Sequence, residues 1–235
     1  MNSGNKLVSA MIQKFVSTFK EIYNHPRNVI DQFLESDDRD FFHPFLFLII
    51  GALAVTAVNT MLVDFSFEPV LGEFDTDNEQ MREIAEWIQA STVRSTTQFL
   101  PISSALLLVP MLSIGGLFFF RDYISGFFSL LVMNSYAVGA TMLFQLLLIP
   151  FWMFSGVSLL DPISNATLPA VAIAIPTLWI YKSYIMSSDF LVWIRIISTF
   201  IVGYVLYAVL TGFAASIIGY MIFAIQRISE MSGSL

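Results

Sequence analysis

The sequence predicts an all-α protein: a polytopic membrane helix bundle of about five transmembrane helices, preceded by an N-terminal amphipathic interfacial helix. Three observations carry that expectation. Hydrophobic residues make up 56% of the 235-residue chain and charged ones 12%, roughly half of the ~25% charged residues usual in soluble domains. The mean hydropathy is +0.73. Apolar residues also gather into runs near the ~20 residues that a helix needs to cross hydrocarbon. This composition excludes a soluble globular enzyme, a nucleic-acid binder with a basic face and a disordered chain. With no cysteine, a disulfide scaffold, a thiolate nucleophile and a cysteine-held metal are excluded as well.

Residues 1–43 read as a cytoplasmic amphipathic region. Apolar side chains at Leu7, Val8, Met11, Ile12, Phe15, Val16, Phe19, Ile22 and Tyr23 fall on one helical stripe, opposite Gln13, Lys14, Ser17, Thr18 and Lys20. Such a helix suits a membrane interface, its lysines near anionic headgroups, and equally suits the protein's own cytoplasmic face or a partner. A shorter amphipathic piece, Val29 to Leu34, follows His25-Pro26. No cleavable signal peptide is expected over residues 1–24. Each histidine, His25 and His43, precedes a proline, the pattern of a helix start.

The bundle is expected over residues 44–235, with spans at about 44–63, 99–120, 127–154, 166–181 and 198–223. The first span is uncharged from Pro44 to Val63 and includes Asn59. The second carries Pro101 and Pro110, and the third carries Pro150. In the fourth, Pro169 fits a first turn and Pro176 should kink the helix. From Phe190 to Gln226 the chain stays apolar apart from Arg195. A straight helix of that length would reach ~55 Å, beyond a ~30 Å hydrocarbon core. The segment therefore either projects from the bilayer or is broken.

Between the first two spans, residues 65–98 form an acidic loop. It holds seven of the 18 carboxylates against two arginines. Met81, Ile84, Ala85 and Ile88 suggest an amphipathic helix within it, leaning on or continuing into the second span. The stretch from Asp75 to Glu79 lacks the glycine and the twelfth-position glutamate of an EF-hand, so ordinary solvated acidity is the simpler reading. With five spans, eight lysines and arginines fall on the N-terminal side and three on the other. That bias predicts a cytoplasmic N-terminus in the cell (inner) membrane.

Polar residues inside the spans are functional candidates because their burial is costly. Asn134 and Gln145 lie 11 residues apart on one face of the third span. Either they make interhelical hydrogen bonds or they line a polar path. Arg195 could snorkel to the interface or pair with Asp122 or Asp189, and Arg121 and Asp122 sit in the turn between spans two and three. Glycines and serines on spans two and five suit close helix approach. The sequence holds no Ser/His/Asp order, no HExxH, no phosphate-binding glycine loop and no dinucleotide fingerprint. No cofactor, metal or nucleic-acid partner is expected.

The order of features resembles a known layout. An amphipathic lead-in reaches Pro-Arg-Asn-Val-Ile at 26–30 and Phe33-Leu34, and Pro44 opens the spans. Phe118-Phe119-Phe120-Arg121-Asp122-Tyr123, Asn134-Ser135-Tyr136 and Ile180-Tyr181-Lys182-Ser183-Tyr184 follow. The chain is similar in this to the Yip1-like five-span proteins and to a bacterial family of unknown function, the DUF3667 type. The resemblance implies five spans and a non-enzymatic role in membrane organisation, trafficking or complex assembly, and carries over no catalytic residue. The leading expectation is thus a non-catalytic integral membrane protein acting through lipids, other membrane proteins or self-association. The alternatives are an oligomeric channel or transporter for a small solute, and a lipid-processing enzyme in which Asp64 or Asp122 would act with His43.

Most of the net charge of −7 resides in the acidic loop. Neutralising Glu73, Asp75, Asp77 and Glu79 together is expected to weaken binding at that face alone, measured by co-purification. Unchanged capture of every native partner would make the loop a solvated cap.

Overall fold

The computed structural model describes residues 3–36, 40–62, 78–96, 98–124, 126–155, 162–187 and 189–233. Within them the chain forms eight helices and no strand. They are α1 (Ser3–Asn24), α2 (Pro26–Glu35), α3 (Pro44–Leu62), α4 (Glu79–Thr96), α5 (Leu100–Phe120), α6 (Gly126–Ser155), α7 (Pro162–Ile185) and α8 (Phe190–Gly233). Three are long and apolar enough to cross a membrane: α5, α6 over Gly126–Leu148, and α8 over Phe190–Ser229. The apolar part of α3, Pro44–Val58, is shorter. These helices place the chain among integral membrane proteins.

Prolines mark the helix starts as the sequence suggests. Pro26 and Pro44 each open a helix directly after a histidine, where the missing N–H costs nothing. Inside helices their effects differ. Pro110 cannot donate to the carbonyl one turn earlier, and its ring crowds that carbonyl. The chain widens into a π-helical turn at Ser104–Leu108 just before it, and the Val109 N–H reaches back to the Ser104 carbonyl. Helix α7 begins at Pro162 rather than near residue 166, so Pro169 lies in its interior and not in a first turn. The helix continues through Pro176 to Ile185.

The five apolar helices share one end. The Tyr136 hydroxyl on α6 reaches the Phe42 carbonyl at the entry to α3, 2.7 Å away. Phe120 at the end of α5 packs on Tyr181 of α7, with ring centroids 5.6 Å apart. The Lys182 ammonium lies 5.4 Å from the Trp193 ring at the start of α8. So α3, α6 and α8 begin where α5 and α7 finish, and successive apolar helices alternate in direction. The buried aromatics Phe42, Phe47, Phe120, Tyr136 and Tyr181 form the core at this end. Leu48, Val55, Leu108, Leu112, Met142 and Tyr207 form a second cluster further along.

Glycine sets two of the closest contacts. A Cβ on Gly203 of α8 would stand 2.7 Å from the Leu112 Cα, and one on Gly115 of α5 would stand 2.6 Å from the Thr199 carbonyl oxygen. The two backbones can approach this closely because neither residue has a side chain. Gly139 and Gly51 do the same for α6 and α3.

The last apolar segment is one unbroken helix of 44 residues, about 66 Å long at 1.5 Å per residue. Of the two expectations, a broken segment is therefore excluded. Helix α4 runs along its distal half, separated from α5 by a turn, so it leans on α8 rather than continuing into the second span. Gly219 takes the Ile88 and Trp87 backbone against it, and Arg227 Nη2 donates to Glu83 Oε2 at 2.9 Å. Asn78 caps α4 by accepting from the Gln80 and Met81 N–H groups. The expected apolar face is rotated: Met81 is exposed, while Glu86, Trp87, Ser91 and Val93 are buried. Contact at Gly219 turns the Trp87 side of α4 inward.

Replacing Gly203 by Leu should lower stability in detergent by about 1–3 kcal/mol through overpacking. Gly212→Ala, where an added Cβ meets nothing within 4 Å, should leave the thermal midpoint within error or raise it.

Candidate functional site

Asn134 is fully buried on α6, and an amide in an apolar interior must find partners. Its Nδ2 donates to Ser113 Oγ of α5 at 3.0 Å, and its Oδ1 accepts from the Tyr181 hydroxyl of α7 at 3.0 Å. Ser113 donates in turn to the Val109 carbonyl of its own helix at 2.7 Å. An added Cβ on Gly116 would be 2.7 Å from a Leu130 methyl and 3.4 Å from the Tyr181 hydroxyl, so that glycine leaves room for Leu130 beside the node. Three helices are tied together by one side-chain node.

Two residues along α6, Tyr136 joins this node to the N-terminal region. Residues 40–43 are not helical, and their backbone groups need other partners. Tyr136 donates to the Phe42 carbonyl, while the Phe42 N–H donates to Thr18 Oγ1 at 2.8 Å. Thr18 donates to the Lys14 carbonyl at 2.8 Å. Both backbone groups of Phe42, just ahead of α3, are therefore held by side chains of two other helices.

Helices α1 and α2 cap the common end. The Tyr23 hydroxyl donates to the Ala140 carbonyl, and Trp179 Nε1 donates to the Tyr23 carbonyl, each at 3.1 Å. Tyr184 donates to Asp31 Oδ1 at 2.9 Å, and Asp31 also accepts from Arg27 Nε at 3.1 Å. Burial, reinforced by the Asp31 carboxylate, pushes the Tyr184 hydroxyl pKa well above its ordinary value. The single stripe expected for α1 divides in two. Phe15, Phe19, Ile22 and Tyr23 turn to the bundle, where Phe15 meets Phe42 and Phe47. Val8, Met11, Ile12 and Val16 remain exposed.

The other residues singled out by sequence lie apart. Gln145 is buried on α6, but the node's partners are Ser113 and Tyr181, so the structure does not join Gln145 to Asn134. Arg195 takes the pairing alternative, with Nη1 3.9 Å from Asp122 Oδ2 and its guanidinium 5.8 Å from the Tyr123 ring centroid. Asp122 is largely solvated, which makes this a weak bridge. Arg121 is exposed in the same turn, and Glu79 is exposed at the start of α4. Asp64, Glu73, Asp75 and Asp77 lie outside the described residues, as does the Asn59 side chain on α3. His43 packs edge-on against Phe33. Among the described residues, no group of three or more histidines and carboxylates could hold a metal ion.

Sequence reading missed Ser113 and Tyr181 as Asn134's partners, and Tyr136 and Thr18 as holders of Phe42. The available signal was the presence of several hydrogen-bonding side chains in each of three apolar runs. Which of them meet depends on helix rotation, which the runs do not encode. No family model, curated protein or solved structure matches this chain.

Tyr181→Phe is expected to cost about 1 kcal/mol in detergent unfolding, and Asn134→Leu about 1–3 kcal/mol because it strands a buried hydroxyl. The double variant should fall short of the sum, the signature of a direct bond. Strict additivity would separate the two residues.

Proposed function

We propose that this chain is a non-catalytic, five-span integral membrane protein that acts through contacts with lipids and other membrane proteins in membrane organisation or complex assembly. The observation that carries the reading is the disposition of the buried polar groups. Asn134 has both ends of its amide committed to Ser113 and Tyr181, and Tyr136 and Thr18 hold the backbone C=O and N–H of Phe42. These groups tie the bundle together and leave the outward surface as the part that can engage something else. That surface is broadly apolar along α8 and on the outer stripe of α1.

Five spans draw support from the common end at which α3, α5, α6, α7 and α8 begin or finish in alternation. The Yip1-like resemblance belongs to the same proposal, as does a cytoplasmic N-terminus. Transport of a small solute is the second reading. Its support in the sequence is a proline-broken fourth span, an overlong fifth segment and a polar stripe of Asn134 and Gln145. The continuity of α7 and α8, and the closed bonding of Asn134, favour the contact reading over it.

Native mass spectrometry after extraction in mild detergent should find the chain with bound lipid or with partner proteins. A strictly monodisperse monomer carrying neither would overturn the proposal. Liposome flux that Asn134→Leu and Gln145→Leu abolish would replace it with transport.

A further inference from the structure

Helix α1 is only half covered. Phe15, Phe19 and Ile22 pack on the bundle, but from Lys6 to Gln13 every described side chain is exposed. Val8, Met11, Ile12 and Val16 are each 55–59% exposed. The helix lies across the bundle rather than along it. Phe15 meets Phe47, one turn into α3, and the Tyr23 hydroxyl meets the Ala140 carbonyl on α6. Those two places are level, because Gly139 takes the Leu48 backbone against it. The same level is where the chain passes from charged to apolar. Arg27, Asp31, Glu35 and Asp40 precede it, and Pro44–Val58 carries no charge. A helix crossing the bundle there runs within the membrane interface. Its uncovered half extends sideways beyond α3, by about 18 Å from Phe15 back to Ser3 at 1.5 Å per residue.

We propose that this uncovered half is embedded in a lipid surface that bears anionic headgroups. The inference rests on the contact reading above and names its partner. Charge selects that partner. Between Ser3 and Lys20, α1 holds Lys6, Lys14 and Lys20 and no carboxylate. Its one acid, Glu21, is 3.1 Å from the His25 ring. At 100° per residue, Lys6 and Lys20 fall to one side of the stripe from Val8 to Val16, and Lys14 to the other. With the stripe turned toward acyl chains, lysine stems on both flanks reach out to headgroup phosphates. Helix α2 differs on both counts: it carries Asp31 and Glu35, and its apolar Val29, Ile30 and Phe33 are already buried.

The chain has no cysteine, so single nitroxide labels can be placed in the full chain reconstituted into vesicles. In phosphatidylcholine vesicles that contain phosphatidylserine, labels on Met11→Cys and Ile12→Cys should collide with oxygen dissolved in lipid. Labels on Ala10→Cys and Gln13→Cys should instead collide with a water-soluble nickel chelate. Each of Lys6→Gln, Lys14→Gln and Lys20→Gln should lower the ratio of embedded to free helix about fivefold. Omitting phosphatidylserine or raising the salt should act in the same direction without any substitution. Equal water access at all four positions would overturn the embedding. Embedding that ignores phosphatidylserine, the lysines and salt would overturn the choice of anionic lipid. Protection of Met11 and Ile12 from both colliders would put a second copy of the chain there and overturn the proposal. If partners or lipid still co-purify in any of these cases, the contact reading stands; if neither does, both fall.

Discussion

Within a chain that has so few polar groups in its apolar helices, the meeting of Asn134 with Ser113 and Tyr181 organises the rest. An amide without partners in an apolar interior is costly, and here both its donor and its acceptor are satisfied by side chains of two other helices. The bond pattern sets how α5, α6 and α7 are turned about their axes. Once α6 is so oriented, Tyr136 faces the entry of α3, and Phe120 and Tyr181 meet in the aromatic core. The close approach of α5 and α8 at Gly115 and Gly203 lies beside this node, on the same stretch of α5 as Ser113.

The N-terminal cap follows from the same physics applied to backbone. Residues between α2 and α3 have no helical ladder, so the backbone N–H and C=O of Phe42 must be satisfied from outside. Thr18 and Tyr136 supply an acceptor and a donor from opposite sides. Helix α1 is drawn against the bundle by that bond, by Tyr23 and by Phe15, leaving its second apolar face outward. A helix that looked like a single amphipathic stripe thus serves two surroundings at once.

The arm formed by α4 and the distal half of α8 is a different kind of structure. It is held by a glycine contact and one exposed ion pair, Arg227 with Glu83. A pair this exposed contributes little by itself, typically under ~1 kcal/mol. Packing of Trp87 and Val93, together with the bond from Ser103 to the Ser95 carbonyl, does more to hold α4 in place.

By itself the sequence determined the helical class, the apolar segments and most of their starts, because those depend on local quantities: run length, charge and the missing N–H of Pro26 and Pro44. Helix bounds followed closely for Pro44–Leu62 and Leu100–Phe120. Tertiary structure decided which faces meet. In an apolar helix every side is apolar, so nothing in the periodicity of α6 told that Asn134 would bond while Gln145 would stand apart. The split of α1 into a docked and an outer stripe, and the turning of Trp87 rather than Met81 toward α8, are likewise set by neighbours. Periodicity reports only that a face is apolar. The aromatic rings and glycine contacts of other helices determine what covers it.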